Sequence, residues 1–131
     1  MVTFVGKVEH DRLPPYYGAS KFYVTASLSD TNSISMKEGM ASGLPVLHLY
    51  DKLNENQVTD GVNGYFYHTK EEMAERMRYL RDLAPEDYAA LQASTIESMS
   101  RFSVTALANN LLAVYDEAIE TYREKKRYYA K

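Results

Sequence analysis

Two carboxylates, Asp30 and Glu38, are the side chains best placed to do chemistry. Seven residues separate them. The local pattern puts Asp30 just ahead of a helix and Glu38 about one and a half turns into it. An ionised carboxylate accepts paired hydrogen bonds from vicinal hydroxyls, the groups that sugars and ribose display. At this spacing the two acids can bracket an elongated ligand without touching each other. Thr31, Asn32 and Ser33 follow Asp30 and are small and polar, so their backbone can approach a ligand closely. The helix that starts at Ser33 offers unpaired N–H groups and a positive dipole end, which suit a phosphate. Each residue alone has a plainer role. Asp ahead of a helix is commonly a cap, and a lone Glu on a helix is commonly solvated.

The elements that must position these residues follow from the rest of the pattern. Residues 2–5 form a β-branched and aromatic run closed by Gly6, which predicts a strand. Pro14 and Pro15 open a brief helix near residues 16–20. Residues 22–26 and 45–50 are apolar without clean alternation, as expected of parallel strands covered on both faces. Between them, residues 33–41 predict a helix stopped by Gly43, with Pro45 beyond. The turn chemistry of Asp60-Gly-Val-Asn-Gly64 leads to a last strand at 65–68.

The second half is helical. Thr69 and Glu72 make a capping box for a helix to about Leu83. Pro85 opens another that ends before Phe102. Ser103 caps a third, in which Leu107, Leu111, Tyr115, Ala118 and Tyr122 recur at helical spacing. The order predicts an α/β fold with a small parallel sheet of about four strands and C-terminal helices. A complete doubly wound domain carries about six strands, so residues 1–131 read as a single domain that is part of a larger one.

Composition narrows the class. A net charge of −3 supplies no basic field for nucleic acid. No cysteine is present, which excludes disulfides and thiolate metal sites and fits a cytoplasmic setting. The N-terminus lacks the apolar core of a signal peptide. His10, His48 and His68 are scattered without metal or triad spacing and read as structural or surface residues. Met36, Met40, Met73, Met77 and Met99 read as core filler. The last nine residues hold five basic residues against one acid. Such an end can rest on an anionic membrane surface, or simply complement the helix dipole in solvent.

The ordered motifs resemble family 4 glycosyltransferases, retaining enzymes with two Rossmann-like domains (the GT-B fold). That family carries a Glu, seven residues, a second Glu, then Ala-Met-Ala-x-Gly-x-Pro-Val. This chain has Asp30, seven residues, Glu38, then Gly-Met-Ala-Ser-Gly-Leu-Pro-Val. Val-Thr-Phe-Val-Gly-Lys-Val from residue 2 and Tyr-Tyr-Gly-Ala-Ser-Lys-Phe-Tyr-Val from residue 16 match the approach to the site. Val-Thr-Asp-Gly-Val-Asn-Gly-Tyr from residue 58 matches the downstream turn. Phe102-Ser and the last helix, with Val114-Tyr115, also match. The likeness covers essentially the whole chain.

The resemblance implies a C-terminal, nucleotide-sugar-binding portion of such an enzyme. Asp30 would contact the donor sugar, Thr31, Asn32 and Ser33 would hold sugar and diphosphate, and Glu38 would grip the ribose diol. Gly6 and Lys7 lie where the nucleobase loop begins. The donor is a substrate, and neither a cofactor nor a metal is expected. Two positions depart from the family pattern: Asp30 is one methylene shorter than the usual Glu, and Gly39 replaces the usual Ala. The family's diphosphate-binding Arg and Lys lie on an earlier segment, and the N-terminal acceptor domain is missing too. Without that charge stabilisation, the isolated chain is expected to be inactive. Residues 26–31 and 54–58 are similar to Gram-positive bacterial members that glucosylate diacylglycerol from UDP-glucose. That likeness implies glycolipid synthesis at the inner face of the cell membrane. The alternative is a non-catalytic glycosyltransferase-like scaffold or accessory module.

Overall fold

The computed structural model describes residues 2–28, 33–53 and 55–129. Contacts divide the chain into two compact units, residues 1–99 and 100–131.

The first unit is an α/β structure built on three parallel strands. These are β1 (Tyr23–Thr25), β2 (Val46–Leu49) and β3 (Gly64–Tyr67), in the spatial order β1-β2-β3. The ladder pairs Tyr23 with Val46, Val24 with Leu47, and Leu47 in turn with Tyr65. Around the sheet lie α1 (Pro14–Ala19), α2 (Ile34–Ala41), α3 (Lys70–Asp82) and α4 (Pro85–Ser98). A short 3-10 turn, His10–Arg12, precedes α1.

The strand expected at residues 2–5 does not form. Phe4 is 94% exposed, and the segment enters no ladder. β-branched and aromatic residues favour a strand only where a neighbouring strand takes their backbone hydrogen bonds and a face buries their side chains. Neither is available to this segment among the described residues. The sheet therefore has three strands where the pattern predicts four.

Strand residues alternate between two apolar layers, the period-two signature of a sheet covered on both faces. Val46, Met36, Met40, Val58 and Met99 form one layer, with Tyr23 and Phe66 packed against them. Leu47, Tyr67, Leu80 and Leu91 form the other, joined by Met73 and Met77. All five methionines expected in the core thus pack there.

The local signals are obeyed closely. Ser33 caps α2, its Oγ accepting from the Met36 N–H. The helix ends in a Schellman motif: Gly43 N–H bonds the Met40 carbonyl, and Leu44 N–H that of Gly39. Gly43 has φ +85°, a conformation an L side chain resists. Thr69 caps α3 by accepting from Glu72 N–H. Glu72 reaches one residue beyond the usual capping box, taking the His68 N–H at 2.7 Å. In the 60–64 turn, Asn63 is buried. Its Oδ1 accepts from Thr59 N–H at 2.7 Å, while its Nδ2 donates to the Gln57 carbonyl and Ser98 Oγ.

The second unit holds a short 3-10 turn, Ser100–Phe102, and α5 (Val104–Tyr129). Ser103 Oγ accepts from Ala106 N–H as the helix begins. Leu107, Leu111, Tyr115, Ile119 and Tyr122 line one stripe and are exposed. Lys126 and Arg127 fall in the last turn, where they complement the helix dipole. Among the described residues, no helix is long and apolar enough to cross a membrane.

Candidate functional site

The β1–α2–β2 crossover directs the N-terminus of α2 to the carboxyl end of the sheet, where open α/β folds bind ligands. Met36 and Met40 anchor the buried face of α2. Glu38 lies off that face, and its side chain is 31% exposed.

A close packing contact fixes this helix on the sheet. A Cβ at Gly39 would sit 3.0 Å from the Tyr23 ring. The glycine that departs from the family pattern therefore makes room for Tyr23. The Tyr23 hydroxyl lies 3.0 Å from Ser35 Oγ, which is itself 3.3 Å from Ser33 Oγ. The first turn of α2 thus carries a short chain of hydroxyls.

Two residues distant in sequence meet Glu38. His10 donates from Nε2 to Glu38 Oε1 at 2.7 Å. The Tyr17 hydroxyl lies 3.4 Å from Glu38 Oε2 and 3.4 Å from the Ser35 carbonyl. The hydrogen bond and charge of Glu38 raise the His10 pKa above the ordinary imidazole value, with Asp11 adding a smaller push. Tyr17 is raised too, first by burial and then by the Glu38 charge. The group facing both is the Glu38 carboxyl. A carboxylate offers about four lone-pair directions. Among the described residues, His10 and Tyr17 engage two of them.

Gly6 and Lys7 occupy the loop that leads to His10. Gly6 has φ +75° and open space around its Cβ position. Lys7 Nζ pairs with Glu9 at 3.2 Å, both largely exposed. The contact to Glu38 is made by His10, three residues beyond Lys7. Ser33, expected as the first helical residue, is the N-cap of α2. Asp30, Thr31 and Asn32 lie outside the described residues.

The remaining histidines bear out their structural or surface reading. His48 is buried on β2 with its ring edge-on to Phe66, and His68 bonds Glu72. His10 is a surface residue as well, 81% exposed, and it bonds Glu38, a partner 28 positions away that no local spacing links to it. Tyr17 lay inside the quoted motif, without a stated role.

An open depression of about 410 Å³ lies elsewhere, at the start of β3, lined by Tyr65, Tyr79, Asp87 and Ser94 among others. None of its lining residues touches Glu38. The candidate site is therefore the side-chain cluster at α2 rather than this hollow.

The family model for glycosyl transferases group 1 matches residues 1–97. The chain belongs to this family. Among its curated relatives, it is 24% identical to alpha-monoglucosyldiacylglycerol synthase of Acholeplasma laidlawii, over 95% of this chain and 31% of that protein. It is 30% identical to spore coat protein SA of Bacillus subtilis, over 88% of this chain and 32% of the relative. It is also 31% identical to D-inositol 3-phosphate glycosyltransferase 1 of Catenulispora acidiphila, over 85% and 27% respectively. The chain thus spans about a third or less of the length of these relatives. No solved structure matches it. As a member of this family, the chain has the α/β architecture its motifs imply, with a partial Rossmann-like sheet.

Proposed function

We propose that residues 1–131 are part of the donor-binding domain of a retaining glycosyltransferase. The enzyme transfers a hexose, glucose from UDP-glucose, to a lipid or glycan hydroxyl. The observation that carries this reading is Glu38. It is a partly exposed carboxylate on the first helix after β1, held from two sides by His10 and Tyr17. That arrangement suits a vicinal diol, and Glu38 is assigned to the ribose. Asp30 is assigned to the donor sugar, and Thr31, Asn32 and Ser33 to sugar and diphosphate. Gly6 and Lys7 are assigned to the nucleobase side. No metal takes part in this scheme.

The glucose and lipid assignments draw on the names of relatives. Besides the Acholeplasma protein, alpha-monoglucosyldiacylglycerol synthase of Streptococcus pneumoniae is 30% identical over 56% of this chain. Such chemistry belongs on the cytoplasmic side of a bacterial cell membrane, with peripheral contact to it. The acceptor domain and the basic pair that stabilises the leaving diphosphate belong to a preceding segment. The isolated chain therefore binds donor weakly and turns nothing over.

Calorimetric titration of UDP and UDP-glucose into the chain, with Glu38→Ala and Asp30→Ala beside it, tests this reading. Binding that disappears in Glu38→Ala supports the donor site. Equal binding by wild type and Glu38→Ala removes Glu38 from the ligand and overturns the assignment.

The likeness to a relative named as a spore coat protein favours a second reading, a non-catalytic scaffold or accessory module on the same fold. Under that reading neither carboxylate variant changes any nucleotide interaction.

A further inference from the structure

Glu38 alone does not set its own direction. A glutamate on a helix has three side-chain torsions and loses rotamer freedom only where something holds its head group. Here the holder comes from the loop before α1. His10 Nε2 lies 2.7 Å from Oε1, while the Tyr17 hydroxyl approaches Oε2 at a longer 3.4 Å. His10 is therefore the principal restraint. It is also 81% exposed, so its protonation follows the solvent and its replacement leaves both core layers intact.

We infer that His10 is a positioning residue for Glu38, holding the carboxylate in place for a ribose diol and strengthening nucleotide binding when protonated. The inference rests on the donor-site reading above and adds a regulation to it. The charged groups facing the imidazole are Glu38 from α2 and Asp11 beside it, and Tyr17 from α1 faces the same carboxylate. Both acids favour the cation. The ion pair is complete below the ordinary imidazole pKa of about 6.5. It is lost as pH rises through the raised value of folded His10, leaving only a neutral hydrogen bond.

The test uses UDP-glucose, because its two phosphates carry constant charge between pH 6 and 8. Free UDP is unsuitable, since a terminal phosphate titrates near pH 6. Binding to the 131-residue chain is followed at both pH values by imidazole and amide NMR shifts, which read millimolar affinities. The wild-type chain should bind about three- to fivefold more tightly at pH 6 than at pH 8, the scale of an exposed ion pair. His10→Ala should weaken binding by a similar factor and flatten the pH profile. His10→Gln should restore part of the affinity with no pH dependence.

Loss of binding in Glu38→Ala, with His10→Ala matching wild type in affinity and pH profile, overturns the role of His10 and leaves the donor site standing. Equal binding by Glu38→Ala and wild type overturns both. Absence of any shift in the wild-type chain at millimolar UDP-glucose also overturns both.

Discussion

Tyr67, the last residue of β3, donates its phenolic hydrogen bond to the carbonyl of Thr25, the last residue of β1, at 2.8 Å. β2 lies between these strands, so the bond spans the sheet at its carboxyl end. It closes the edge from which the chain leaves toward Asp30 and α2. Burial raises the Tyr67 pKa, which extends the range over which the phenol stays a donor further above neutral pH.

Tyr67→Phe keeps the ring and removes the donor, leaving the Thr25 carbonyl without this partner. The expected cost is about 1 kcal/mol. It should appear as a lower urea midpoint with an unchanged slope. An unmoved midpoint would mean that the ladder alone holds the end of β1.

Gly64 is the position least able to accept a side chain. A Cβ there would lie 2.2 Å from the Val46 carbonyl oxygen on the neighbouring strand. Backbone cannot swing aside as a side chain can. Gly64→Ala should therefore destabilise by about 2–3 kcal/mol, the cost of overpacking. Gly18→Ala is the control, since its Cβ meets nothing within 4 Å and α1 gains a better helix former. Chemical denaturation should separate the two clearly. Similar midpoints for both variants would show that β2 and β3 can slide apart at little cost.

Asn63 bonds three residues through one buried amide: Thr59, Gln57 and the α4 residue Ser98. Asn63→Ala leaves the Thr59 N–H and the Gln57 carbonyl short of a partner, at about 2 kcal/mol in total. Asn63→Asp keeps the acceptor for Thr59 and loses both donors. Thermal melts should therefore rank the proteins wild type, then Asp, then Ala. Ala at or above Asp would mean that the burial of a charge outweighs the retained bond.

At α3, the Glu72 carboxyl is held below its ordinary pKa, first by the His68 N–H and then by the His68 ring. A depressed carboxylate stabilises the fold above its unfolded pKa, about 4.3. That contribution fades as pH falls through the lower, folded value. The stability difference between wild type and Glu72→Gln should be full near neutral pH and shrink in acid. Urea midpoints measured from pH 7 down to pH 3 read this directly. A difference constant across that range would assign the effect to helix capping alone.

The sequence by itself determined the features whose cause is local. The start of α2 near Ser33, the Gly43 stop, the 60–64 turn and the Thr69 cap each depend on a few adjacent residues and on backbone angles that only certain side chains permit. The ordered motif from Glu38 to Val46 likewise carried the family, because residue types and spacing are its whole content. Tertiary structure decided the rest. Residues 2–5 have the composition of a strand, yet a strand exists only where a partner completes its ladder. Gly39 was legible as a departure from pattern, but only the Tyr23 ring packed above it gives the reason. The meeting of His10 with Glu38 depends on where α1 and α2 come to rest on the sheet. That is a property of packing between two residues 28 positions apart, and spacing within either segment does not encode it.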